Sequence, residues 1–316
     1  MAARAGKVTV VGAGNVGSNT ARRIAEKDLA EEVVMIDIVE GLPQGLALDI
    51  NQSAPVEGFA AHVTGTNDYE DTAGSTVTVI TAGLARQPGM SRMDLLDKNA
   101  EIVGGVTEQI VERSPDTIII MVSNPLDEMT FLASLVSDLP KERVMGMAGV
   151  LDSSRLRYFI AERLGGAPSS VDAITLGSHG DQMVALPRHA SVDGKPLPDL
   201  VGDSGLEELF ARTRDAGAEI VGYLKKGSAF YAPSSSAVAM VAAITGDTKD
   251  VLPTCAWTSG EYGVSDVYLG VPARLGRNGV EEIVELDLNA DERSALSEAA
   301  EAIRAKCEEL RARRSS

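Results

Sequence analysis

Residues 7–26, KVTVVGAGNVGSNTARRIAE, pass from an apolar, β-branched run through three glycines into a helical pattern. The run at 7–11 reads as a buried parallel strand. In GAGNVG at 12–17, Gly12, Gly14 and Gly17 keep the GxGxxG spacing around Asn15 and Val16. That spacing is weak evidence by itself and specific between a strand and a helix. Gly12 permits the tight turn, Gly14 lets backbone approach a pyrophosphate, and Gly17 lets helix and strand pack closely. Free N–H groups at the helix start then face the anion.

A second strand, EVVMIDI at 32–38, carries Asp37 twenty residues past Gly17. An acid at that distance bonds the adenosine ribose hydroxyls and repels a 2′-phosphate, so the cofactor expected is NAD and not NADP. The alternative is an acid that merely ends a strand. Further strands at 75–83 and 116–125 alternate with helical stretches, which implies a doubly wound parallel sheet. Ligands in such sheets bind beyond the carboxyl ends of the strands, where Ala82–Gly83 and Ser123–Asn124 fall. The fold expected is α/β, a Rossmann-type doubly wound parallel sheet over 1–148 followed by an α+β catalytic domain over 149–316. After about residue 150 the alternation weakens into short antiparallel strands, long helices near 206–227 and 235–245, and more strands with Gly and Asn turns. No repeat, low-complexity tract or flexible linker separates the halves.

Composition narrows the partners. The chain has 316 residues, 44% hydrophobic and 24% charged, which is the balance of a soluble globular protein. No run approaches the length of a membrane span, and the N-terminus enters its first strand at once, so a cytoplasmic protein is expected. A net charge of −17 argues against nucleic acid, whose phosphates demand a basic face. Only 9 of the 29 basic residues are lysines, and acid excess with scarce Lys suits either a salt-rich cytoplasm or ordinary solubility. Cys255 and Cys307 lack metal spacing, and no metal is expected. Cys307 lies on a stripe with Leu296, Ala300, Ile303 and Leu310, read as a docked C-terminal helix in preference to a coiled-coil seam.

Three stretches carry candidate chemistry. LGSHGDQMV at 176–184 sets His179, one of three histidines, among small residues. A lone turn histidine is ordinarily solvated or bonded in the core. LDSSR at 151–155 offers Asp152 and Arg155 at a helix start, where an acid also serves as an N-cap. Arg86 and Arg92 flank a Pro-Gly turn in ARQPGMSR at 85–92, and solvated loop arginines are common.

Taken together, VVGAGNVG, ITAGLARQPGMSRMDLLDKN, VSNPLD, LDSSRLR and GSHGDQMV stand in the order of the lactate/malate dehydrogenase family, and the resemblance covers essentially the whole chain. It is closest to the lactate-dehydrogenase-like branch of the malate enzymes. The resemblance implies that His179 is the catalytic acid/base, that Asp152 orients its ring and that Arg155 clamps the substrate carboxylate. It implies that Arg92, on a lid, polarises the reacting carbonyl. Arg86 falls where the family reads the substrate side chain, glutamine in lactate enzymes and arginine in malate enzymes. Asn124 resembles a shared substrate and nicotinamide contact, and Asn99 and Val122 resemble further cofactor-lining positions. GSAFYAPSSS at 227–236 resembles the segment that closes the substrate pocket. His62 and His189 match no motif and are read as structural. Members of this branch are homo-oligomers, tetramers built from dimers, with a plain dimer as the alternative.

The chemistry is consistent with that resemblance. Reducing a 2-keto acid needs a hydride at the carbonyl carbon and a proton at its oxygen, which an imidazole supplies near neutral pH. A carboxylate on the far ring nitrogen fixes the tautomer and favours imidazolium. A planar guanidinium meets both oxygens of a carboxylate, and a cationic lid residue stabilises charge growing on the carbonyl oxygen. The expected reaction is NAD-dependent interconversion of malate and oxaloacetate. The alternatives are another 2-hydroxyacid dehydrogenase, such as a lactate enzyme, and an NAD-binding module without catalysis.

Overall fold

The computed structural model describes residues 4–84, 92–180 and 182–314. The chain divides into two compact units: Met1–Met147, Phe230–Val251 and Arg274–Glu282 form one, and Ala148–Ala229, Leu252–Ala273 and Ile283–Ser316 the other.

The first unit opens with β1 (Ala5–Val11), α1 (Asn15–Glu26), β2 (Ala30–Ile36), α2 (Leu42–Glu57) and β3 (His62–Thr66). It continues with β4 (Val77–Ile80), α3 (Arg92–Arg113), β5 (Ile118–Met121), α4 (Leu126–Ser137) and β6 (Val144–Gly146). The strand order is β3-β2-β1-β4-β5-β6, all parallel. That order places the reversal of winding between β1 and β4, the crevice where such sheets bind dinucleotides. The carboxyl ends are in register: Val11 pairs with Ile36 and Ile80, Ile80 with Met121, and Met121 with Gly146. The strands are buried on both faces, with Val8, Val10, Val79, Ile119, Ile120 and Met145 fully enclosed. Each such side chain contributes about 1.5–3 kcal/mol of burial free energy. Helix α1 buries Gly17, Thr20, Ala21, Ile24 and Ala25, one face at three-to-four spacing.

The second unit begins with α5 (Gly149–Leu164), β7 (Val171–Asp172), β8 (Thr175–Gly177), β9 (Met183–Ala185), β10 (Ser191–Val192), β11 (Lys195–Pro196) and α6 (Leu197–Leu224). The chain then returns to the first unit through α7 (Tyr231–Thr245), before β12 (Val251–Ser259), β13 (Ser265–Gly276), β14 (Gly279–Ile283) and α8 (Ala290–Arg314). In the second unit β12, β13, β8 and β9 are neighbours, with β8 antiparallel to both β13 and β9. Strands β11, β10 and β7 form a small antiparallel sheet. Leu296, Ala300, Ile303, Cys307 and Leu310 are all buried, so α8 is docked along the stripe its sequence displays. An Asn289–Glu292 capping box starts it, each side chain accepting from the other's backbone N–H at 2.8 and 2.9 Å. Cys255 and Cys307 are buried thiols.

Two boundaries differ from the sequence reading. A single cut after residue 148 leaves α7 and the Arg274–Glu282 hairpin in the second domain, whereas both belong to the first unit. Helix α7 is apolar nearly all round, burying Ala237, Val238, Met240, Val241, Ala243 and Ile244, and α1 supplies part of the cover it needs. Strand β2 ends at Ile36, so Asp37 stands just beyond it and its side chain is released from the pleat toward the glycine turn.

Candidate active site

The cofactor cradle is built at the carboxyl ends of β1 and β2. Gly12 holds φ +99°, and a Cβ on Gly17 would overlap the Gly12 carbonyl oxygen. Both glycines are therefore required by the backbone itself. Gly14 faces open space and heads α1, which has no side-chain cap. Thr81, just past β4, donates to the Val11 carbonyl at 2.9 Å and fixes the turn from the far side.

Asp37 does more than end a strand. Its Oδ2 accepts the Ala13 N–H at 2.6 Å and its Oδ1 accepts the Val39 N–H at 2.9 Å. The carboxylate thus joins the glycine turn to the end of β2. Asn67, beyond β3, donates to the Asp37 carbonyl at 2.6 Å and accepts from Gln44 at 2.6 Å. The half-buried Tyr69 phenol is pushed above its ordinary pKa, by burial first and by the Asp37 charge second, with Arg113 pulling the other way. An anion-receptive helix start and a fixed carboxylate fit a dinucleotide with a free ribose diol.

The remaining first-unit candidates lie at the ends of β4 and β5. Val122 is buried, and its N–H donates to the Ile80 carbonyl at 2.9 Å. Asn124 precedes a cis peptide to Pro125 and is exposed. Asn99 is only 1% exposed, and its whole amide is committed to backbone. Its Oδ1 accepts the Leu84 N–H at 2.7 Å, and its Nδ2 donates to the carbonyls of Asn124 at 2.6 Å and Leu84 at 3.1 Å. The structure therefore gives Asn99 the job of holding Leu84 and Asn124. Arg86 lies outside the described residues, as does the Arg92 side chain, although the Arg92 backbone heads α3.

In the second unit, α5 carries Asp152 and Arg155 and the loop after β8 carries His179. Asp152 is buried, and its Oδ2 accepts from His179 Nδ1 at 2.8 Å. Its Oδ1 lies 3.5 Å from the Arg155 guanidinium. One carboxylate therefore serves two cations, or one cation and a neutral ring. Donation from Nδ1 leaves Nε2 to take or give a proton. Arg155 is mostly buried, and its Nε has no hydrogen-bond partner among the described residues. Burial lowers its pKa from the ordinary value and the Asp152 charge opposes that shift. A guanidinium so placed is under-satisfied and suits a carboxylate partner. The other two histidines have other settings. His62 begins β3, and His189 bonds the Asp287 carbonyl through Nε2 at 2.9 Å. At the start of α7, the Phe230 and Tyr231 rings lie 4.3 Å apart between centroids, tilted at 49°, within the segment read as pocket-closing.

The ties made by Thr81 and Asn67 escaped the sequence reading. Each is a single polar side chain whose partner is distant backbone, and no local pattern marks it.

Comparison with known proteins agrees with both halves. Residues 6–146 match the lactate/malate dehydrogenase NAD binding domain, and residues 149–313 match the lactate/malate dehydrogenase alpha/beta C-terminal domain. The chain is 54% identical over 304 residues to a malate dehydrogenase of Salinibacter ruber, covering 96% of each. The fold is similar to the solved malate dehydrogenase from Salinibacter ruber, with TM-score 0.94, 51% identity, and 98% of this chain and 99% of that chain covered. It is also similar to the lactate dehydrogenase from Cryptosporidium parvum solved with lactic acid and nicotinamide adenine dinucleotide, with TM-score 0.93, 42% identity and 98% of each chain covered.

Proposed function

The chain belongs to the lactate/malate dehydrogenase family, and from that premise we propose that it is an NAD-dependent malate dehydrogenase interconverting malate and oxaloacetate. The observation that carries the reading is the Asp152 carboxylate, bonded to His179 on one oxygen and beside Arg155 on the other. Malate is preferred to lactate because Arg86 stands where the family reads the substrate side chain, and because the 54% identical relative is named a malate enzyme.

The proposed roles follow the geometry. NAD, when bound in the cradle, would supply the hydride acceptor for the alcohol carbon of malate. Gly12, Gly14, Asn15, Val16 and Gly17 hold its pyrophosphate, and Asp37 its adenosine ribose. Val122, Asn124 and Asn99 line or support the nicotinamide end. His179 takes the hydroxyl proton at Nε2 in the oxidative direction and returns it in reduction. Asp152 stabilises the imidazolium formed. Arg155 pairs with the carboxylate next to the reacting carbon, Arg86 with the second carboxylate, and Arg92 stabilises the carbonyl oxygen. In this division the NAD binding domain, matched over 6–146, brings the cofactor, and the C-terminal domain, matched over 149–313, brings the acid/base chemistry. The reading calls for no metal and no nucleic acid.

We place the protein in the cytoplasm as a homo-oligomer, a tetramer in preference to a dimer. No helix among the described residues is long and apolar enough to cross a membrane.

The test is NADH absorbance decay with oxaloacetate and with pyruvate, repeated with NADPH. Fast oxaloacetate turnover with NADH is expected. Faster pyruvate turnover would make it a lactate enzyme, equal use of NADPH would remove the role of Asp37, and no turnover with either keto acid would leave a binding module.

A further inference from the structure

We infer that Ser153 is a positioning residue for the acid/base pair: its hydroxyl fastens the helix carrying Asp152 and Arg155 to the strand that delivers His179. The inference rests on the proposed acid/base role of His179.

Asp152 and His179 are 27 residues apart in the chain, so their 2.8 Å bond depends on how α5 and β8 are held together. Ser153 supplies a specific tie between them. Its Oγ accepts the Thr175 N–H at 3.0 Å and lies 3.2 Å from Thr175 Oγ1. Both residues are buried, Ser153 at 5% and Thr175 at 1% exposure, so water does not replace the bond. Ser153 directly follows Asp152, and Thr175 opens the three-residue strand that ends two residues before His179.

The neighbouring serine behaves differently. Ser154 donates back to the Leu151 carbonyl of its own helix at 2.7 Å, the usual habit of a helical serine. Ser153 instead spends its oxygen on another element. Beyond Thr175 the strand has little freedom to absorb a shift. Gly177 pairs with Met183 on β9 and Gly270 on β13, and a Cβ there would meet the Gln182 carbonyl at 2.7 Å. The strand is thus the fixed partner, and loss of the tie lets α5, with Asp152, shift against His179. Removing the Ser153 hydroxyl leaves the buried Thr175 N–H without its acceptor, and the packing of α5 on β8 must rearrange to satisfy it.

The experiment compares the full-length protein with Ser153→Ala, Ser153→Thr and His179→Asn, following oxaloacetate reduction by NADH decay across about pH 5 to 9. Ser153→Ala is expected to lower kcat/KM about ten- to hundredfold, the scale of a misplacement near one ångström. The pH midpoint of reduction should also move to lower pH, because a loosened Asp152 stabilises imidazolium less. Ser153→Thr retains the oxygen and should restore both. NADH affinity, read by fluorescence, should match the parent in all three variants. Should Ser153→Ala not fold, Ser153→Cys fills the same space with a weak acceptor and should show a smaller acid-ward shift. A folded Ser153→Ala or Ser153→Cys with the parent's midpoint and kcat/KM within about twofold, even if it melts earlier, would reduce Ser153 to a packing role. Near-parent turnover in His179→Asn would instead remove the acid/base reading itself, and the positioning role with it.

Discussion

Replacing Asp152 by asparagine tests the core of the site with almost no change of shape. In the parent, one carboxylate oxygen meets His179 Nδ1 at 2.8 Å and the other lies 3.5 Å from Arg155. An amide has one acceptor oxygen and one NH2 group. If the oxygen faces His179, the NH2 confronts the Arg155 guanidinium, donor against donor. If the oxygen faces Arg155, the NH2 donates to Nδ1, the ring proton moves to Nε2, and the nitrogen that must accept the hydroxyl proton is blocked. Either arrangement loses the charge that stabilises imidazolium. A hydrogen bond to a charged group contributes about 1.5–3 kcal/mol. Losing one to two such interactions at the transition state corresponds to roughly 10- to 10⁴-fold in rate. The assay is kcat/KM for malate oxidation and oxaloacetate reduction against pH. Imidazolium is the proton donor in reduction, so activity in that direction is present below the histidine midpoint and lost as pH rises through it. In Asp152→Asn that loss should begin at lower pH. A variant within about threefold of the parent in both directions, with an unmoved midpoint, would refute the reasoning.

Three further outcomes are expected. Arg86→Gln should shift the kcat/KM ratio of oxaloacetate over pyruvate by about 10²-fold or more, since the second substrate carboxylate would lose its proposed partner; a ratio within about tenfold of the parent's, by NADH decay, would remove Arg86 as selector. Asp247 accepts from Lys249 and Arg277, with the Lys249 bond the larger cause of a pKa lowered from 3.8 to about 2. The stability it contributes is present above about pH 4 and lost as pH falls through about 2, so Asp247→Asn should melt earlier than the parent above that window and converge on it only below; identical melts throughout would contradict the assignment. With a net charge of −17, the melting temperature should rise between about 0.1 M and 1 M salt, where the screening length falls from about 10 to 3 Å; a flat response would leave the charge to solubility.

Some of this protein is determined by local pattern. A β-branched run, three glycines at fixed spacing and an amphipathic helix leave one reading for residues 7–26, because a Cβ on Gly17 has no room and Gly12 needs a positive φ. The C-terminal stripe is equally local, since its spacing alone selects the face that α8 buries. Motifs in order also bring His179, Asp152 and Arg155 to notice together. What the chain order does not contain is which backbone groups find which side chains across the fold. Asn99 resembles a cofactor-lining position in sequence, and only the fold shows that its amide holds the Leu84 and Asn124 backbone. Asp37 reaches Ala13, Asn67 reaches back to Asp37, and Ser153 and Ser154 look alike until one turns to a distant strand and the other to its own helix. Helix α7 shows the same limit at larger scale, because an apolar surface on every side states that it must be covered and leaves open by what. Periodicity and steric need are properties of neighbouring residues. Hydrogen-bond partnership between buried groups is settled only when the elements meet and each polar atom must take a partner from those within reach.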